Sequence, residues 1–104
     1  MTKETLAYEN IDREFKELYV SDIKKTVVAF ANTEGGILYI GINDAGEVVG
    51  LQNVDDVMQQ TANTLKDSIA PDVIPFVKIR AVTREGKQII EVAGQNGTSR
   101  PYYI

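Results

Sequence analysis

The sequence contains no cysteine and no histidine. The first absence excludes disulfides and thiolate metal sites. The second removes histidine-based nucleophilic triads, imidazole general bases and the usual zinc ligands. Any catalysis on this chain must run on carboxylates, lysines, hydroxyls or a bound ion. The N-terminus lacks the basic-then-apolar pattern of a signal segment, and no apolar run approaches the ~20 residues of a membrane span. Membrane contact is therefore not expected, and a cytoplasmic location is. The Gly-x4-Gly-Lys-Ser/Thr pattern of a P-loop occurs nowhere. Internal repeats and low-complexity segments are missing too.

The 104 residues that are present suit one domain with room for a real core. Fifteen Asp and Glu stand against eleven Lys and Arg, a net charge of −4. That balance counts against a strongly basic nucleic-acid binder, whose affinity comes largely from phosphate neutralisation. It does not exclude a local basic face, because net charge says nothing of where the charges lie.

The rest of the chain is organised around residues 28–50. Ile23, Val27, Phe30 and Ala31 recur at helical spacing. Ser21 is placed to cap that helix, with Asp22 in its first turn, and the helix is expected to run to about Asn32. Gly35 is well placed to be the left-handed residue that stops it, and Gly36 follows. Ile37 to Ile42 is almost wholly apolar, as in a strand covered on both faces. Asp44-Ala45-Gly46 offers hairpin-turn chemistry, with a further strand starting towards Gly50.

On either side the pattern is simpler. Arg13 to Tyr19 alternates imperfectly and reads as a short strand. Asn53 is a candidate cap for a second helix, with Val54, Met58, Ala62, Leu65 and Ile69 on one stripe and Ala70-Pro71 at its end. Ile74 to Thr83 reads as a strand, Arg84 to Lys87 as a turn and Gln88 to Ala93 as the return strand. The expected fold is α+β: a mixed or antiparallel sheet of about five strands with two main helices. The apolar, aromatic end Arg100-Pro101-Tyr102-Tyr103-Ile104 is unlike a frayed terminus. Residues 1–104 are therefore expected to be the N-terminal part of a longer protein, with a further C-terminal domain as partner.

Three blocks carry a family resemblance. They are Glu14-Phe15-Lys16, then Ala29-Phe30-Ala31-Asn32-Thr33-Glu34-Gly35-Gly36, then Ile40-Gly41-Ile42-Asn43-Asp44 leading to Gly46 and Gly50. In this order and spacing the chain resembles the Schlafen AlbA-type domain from about Glu9 to Tyr103. The resemblance implies an α+β nucleic-acid-binding fold, as in bacterial transcriptional regulators and animal Schlafen proteins. It makes Asn32, Gly35, Gly36 and Gly41 structural positions. Some members cleave RNA with three carboxylates, and the matching positions here are Glu9, Glu14 and Asp44. Such a cluster would be relieved by a divalent cation such as Mg²⁺ or Mn²⁺, which could orient a phosphodiester and activate water. Without the resemblance, the plain reading of all three is solvated surface acids or turn caps.

The basic candidates for a nucleic-acid surface are Lys78, Arg80, Arg84 and Lys87, with Lys16. Lys78 and Arg80 share one face of their strand, opposite Val77, Ile79 and Ala81. A solvated outward face is the plain alternative. The tyrosines could stack on unpaired bases or pack in the core. Three functions remain: a DNA- or RNA-binding module of a bacterial-type regulator, with DNA favoured; a metal-dependent endoribonuclease; and a protein-interaction domain, with a homo-oligomer among its forms.

Overall fold

The computed structural model describes residues 12–104. Four strands form one mixed sheet: β1 (Arg13–Lys16), β2 (Gly36–Ile40), β3 (Val77–Arg84) and β4 (Lys87–Gly94), in the order β1-β2-β4-β3. Helix α1 (Ile23–Ala31) is the crossover that lets β1 and β2 run parallel. The other two pairings are antiparallel. Helix α2 (Val54–Ser68) and a short 3-10 turn (Ile74–Phe76) lead into β3. Among the described residues, no helix is long and apolar enough to cross a membrane.

Both helices lie on one face of the sheet. Ile23, Val27 and Phe30 of α1 and Val57 and Leu65 of α2 join Leu38, Ile40, Ile90 and Val92 in the main core. The opposite face carries no helix among the described residues. It holds a smaller cluster of Phe15, Tyr39, Ile42 and Ile89, flanked by Ile37, Val48 and Val82. Strand β2 is thus covered on both sides, as its unbroken apolar run requires.

Several elements differ in detail from their sequence pattern. The fifth expected strand contracts to one bridge between Ile42 and Val48. Asn43 accounts for this: its Oδ1 accepts the N–H of Ala45 and of Glu47, and its Nδ2 donates to Glu47 Oε1. The chain then folds back on Gly41, whose carbonyl accepts from Val49 and Gly50, instead of extending. The first strand stops at Lys16, before exposed Leu18 and before Tyr19, whose hydroxyl meets Thr64 of α2. Ser21 does not cap α1. Asp22 holds the cap position without a side-chain bond, and the helix is entered through backbone turns, Ile23 N–H to Val20 O and Lys25 N–H to Asp22 O. Asn53 likewise caps α2 by position only.

Helix α1 ends at Ala31, with Asn32 still right-handed. Thr33 donates its hydroxyl to Ala29 O at 2.7 Å, satisfying a last-turn carbonyl. Gly35 does have a positive φ, +95°, but it turns the chain into β2 after the helix has already ended. In α2 the deepest line is Val57, Thr61 and Leu65, while Val54 and Met58 pack less deeply. Thr61 is polar and fully buried because its hydroxyl donates to Val57 O at 2.8 Å.

Candidate nucleic-acid interface

Strand alternation sorts the charged side chains. On the helix-free face, β1 contributes Arg13 beside Phe15, and β4 contributes Lys87 and Glu91 beside Ile89. Strand β3 contributes Lys78, Arg80 and Arg84 around Val82. Five of the chain's eleven cations and one of its fifteen acids therefore occupy strand positions of a single face. The remainder of the molecule is correspondingly acidic, which is how a net charge of −4 coexists with a basic surface.

Glu91 organises part of that face. It pairs with Arg80 across the β3–β4 ladder and with Tyr39 across β2–β4. Its side chain is only 12% exposed. Arg80 donates to Glu91 Oε1 from Nε at 3.2 Å and from Nη2 at 2.6 Å. Arg84 approaches Glu91 Oε2 at 3.9 Å, and its guanidinium lies over the Tyr39 ring, 5.6 Å from the centroid. Both arginines are thus held near the sheet and still have unused N–H donors. Lys87 donates to Val48 O at 3.2 Å. Lys78 is exposed and has no ion-pair partner among the described residues. Arg13 Nε is buried and has no hydrogen-bond partner among the described residues.

Lys78, Arg80, Arg84 and Lys87 are therefore brought together, as the strand pattern predicts. Lys16 is not among them: it stands on the helix side of β1, opposite Ile40, with Nζ 3.6 Å from Glu14 Oε2. Sequence reasoning missed Arg13 and Glu91. The signal for Arg13 was available, because it precedes Phe15 by two and so shares its face. Glu91 becomes visible only through the register that sets it beside Arg80. Among the described residues, the aromatic rings of this face do not offer stacking surfaces, since Phe15 is 1% and Tyr39 2% exposed.

The three carboxylate positions are distributed differently. Glu9 lies outside the described residues. Glu14 is half-buried on β1 and paired with Lys16. Asp44 is exposed in the turn after β2 and borders a hollow of about 440 Å³ with Phe15, Lys16, Glu17, Asn43 and Ala45. Among the described residues, no three acids converge on a site that could hold a metal ion.

The structural positions have definite work. Asn32 Nδ2 donates to Tyr102 O at 3.0 Å, and its Oδ1 accepts the Tyr102 N–H at 2.7 Å, so its amide docks the C-terminal segment as a peptide group would. Gly36 opens β2 against the Phe30 ring. A Cβ on Gly35 would meet Gly94 O at 2.6 Å.

Comparison with known proteins agrees with this architecture. Among solved structures, the chain is similar to the N-terminal domain of a Nitrosomonas europaea protein described as related to the ATP-dependent DNA helicase RecG. The TM-score is 0.72 at 23% identity, over 97% of this chain and 75% of that one. It is also similar to the DIP2311 protein from Corynebacterium diphtheriae, with a TM-score of 0.65 at 18% identity. That match covers 97% of this chain and 22% of the other, so the present chain spans only about a fifth of that protein. At these identities the likeness is one of fold. No curated protein sequence matches. The family model for Schlafen, AlbA_2 matches residues 3–104, nearly the whole sequence, and the chain belongs to the Schlafen AlbA_2 family.

Proposed function

We propose that this domain binds nucleic acid through the helix-free face of its sheet. The observation that carries the reading is the segregation of charge: Arg13, Lys78, Arg80, Arg84 and Lys87 on one face, with Glu91 as the sole acid at that face's strand positions among the described residues. Successive same-face residues of a strand are about 6.6–6.8 Å apart, so Lys78 and Arg80 can meet neighbouring phosphates of one backbone. Burial of Phe15 and Tyr39 leaves no exposed ring for base stacking on this face among the described residues. Contact is then mainly to phosphates, with little direct reading of sequence. Membership of the Schlafen AlbA_2 family supports a nucleic-acid role. The fold shared with a RecG-related protein favours DNA. A DNA-binding module of a bacterial-type transcriptional regulator is the fuller form of this proposal.

The test is a two-dimensional amide NMR titration with a short duplex and with the corresponding single strand. Shifts should concentrate on β3, β4 and Arg13, and the duplex should bind at least as well as the single strand. Shifts confined to α1 and α2, or none at low salt, would overturn the assignment.

A further inference from the structure

Strand β3 is an edge strand, and its outer side is bare. The hairpin to β4 turns through Glu85 and Gly86 alone, both with positive φ, so Arg84 and Lys87 are the closing hydrogen-bonded pair. Alternation from that pair turns the N–H and C=O groups of Arg84, Val82, Arg80 and Lys78 towards β4. Those of Thr83, Ala81 and Ile79 point away from the sheet. No backbone bond from these three to any other element is present among the described residues. Ala81 and Thr83 are exposed, and Ile79 is half-buried against the main core.

The side chains along this edge state what would complete it. On the helix-free side they are Lys78 and Arg80. Within the sheet, Arg80 faces Glu91 of β4, an acid opposite a cation across two strands. On the outer side of β3 no strand supplies the second acid, and Lys78 has no ion-pair partner among the described residues. On the helix side, Ile79 presents partly covered apolar surface beside the small residues Ala81 and Thr83. A second copy of this chain fits poorly. Antiparallel pairing of β3 with itself about Ile79 would set Lys78 against Arg80, and about Ala81 would set Lys78 against Arg84. Directly opposed like charges destabilise a ladder, and edge lysines are a known guard against self-pairing.

We infer that the outer edge of β3 receives an extended peptide segment in which acidic residues alternate with apolar ones. The backbone of Ile79, Ala81 and Thr83 supplies the ladder bonds. Lys78 and Arg80 select acids on one side of the incoming strand, and Ile79 selects an apolar residue on the other. This is strand addition with charge-selected register. It shares Lys78 and Arg80 with the nucleic-acid face, but its ladder bonds come from the outward backbone of Ile79, Ala81 and Thr83, which phosphate binding does not use, so protection of those amides and duplex binding are read separately.

The probe is a blocked seven-residue peptide of alternating Glu and Val, compared with the same peptide carrying Lys for Glu. Amide hydrogen exchange is read residue by residue. With excess Glu peptide, the amides of Ile79, Ala81 and Thr83 should slow by about ten-fold or more, and the Lys peptide should leave them unchanged. Ala81→Pro removes an outward donor without touching the β4 ladder, a position where edge strands accept proline. It should abolish the response while leaving duplex binding as in the wild type. If that variant fails to fold, Lys78→Glu serves instead and should abolish the response to the Glu peptide. No slowing in the wild type, or equal slowing with both peptides, would overturn the proposal. So would protection that appears with rising protein concentration and no peptide, because the occupant would then be a second copy.

Discussion

Substituting Gly35 by alanine tests how the central segment is built. Gly35 has φ +95°, where an L-residue is strained by about 1–2 kcal/mol. The new methyl carbon would also lie 2.6 Å from Gly94 O and 3.4 Å from Gln95 Cα. Gly94 cannot retreat freely, because it is paired with Gly36 on one side and Val77 on the other, and the next residue donates to Phe76 O. Overpacking against a fixed backbone adds about 1–3 kcal/mol. The sum, about 2–5 kcal/mol, should lower the melting temperature by roughly 10–30 °C for a domain of this size. Gly86→Ala is the control. Its φ is +75°, but nothing lies within 4 Å of a Cβ there. It should cost only the conformational part, about 1–2 kcal/mol. Thermal melts of both variants, followed by circular dichroism, give the comparison. If Gly35→Ala melts no lower than Gly86→Ala, the close approach to β4 is wrong.

Asn32→Ala removes both bonds to the Tyr102 backbone and should cost about 1–3 kcal/mol, with faster exchange of the Tyr102 amide than in the wild type; unchanged exchange would contradict the clamp. Glu91→Gln removes the one acid among the strand residues of the basic face, so duplex binding at low salt should tighten although the domain becomes less stable; weaker binding would show that Glu91 chiefly positions Arg80 and Arg84. If Glu9, Glu14 and Asp44 form a metal site, Mg²⁺ or Mn²⁺ should raise the melting temperature, the triple alanine variant should lose that response, and RNA cleavage should depend on the metal. A melt that is insensitive to both ions would leave the three acids without a catalytic role.

Much of the fold was legible because its core obeys simple periods. The α1 stripe and the apolar run of β2 follow from hydrophobic spacing alone. Three features escaped for physical reasons. Thr61 lies in the deepest line of α2, yet its hydroxyl is satisfied within the helix, so a polar residue hides in an apolar stripe. The strand expected near Val48 was displaced by the Asn43 side chain, whose local bonds compete with a ladder. The end of α1 falls where expected, at Ala31 with Asn32 as its cap, but the residue that closes it is Thr33, bonding back to Ala29, and not Gly35. The basic surface was half visible. Lys78 and Arg80 declare themselves by alternation within one strand. Arg13 shares the face of Phe15 by the same alternation, but that this is also the face of Lys78 and Arg80 follows only from the order in which β1 and β3 join one sheet.

The salt dependence of duplex binding tests the basic face most directly. Anisotropy of a labelled duplex is measured from low to moderate salt for the wild type and for a variant with Arg13, Lys78, Arg80, Arg84 and Lys87 all changed to Ser. Each phosphate contact contributes about 0.9 to the slope of log affinity against log salt. The wild type should bind with a steep negative slope, and the folded variant should lose most of it, by up to about 4.5 units if all five cations meet phosphates. Equal slopes for the two proteins, or no wild-type binding at low salt, would contradict the assignment of this face.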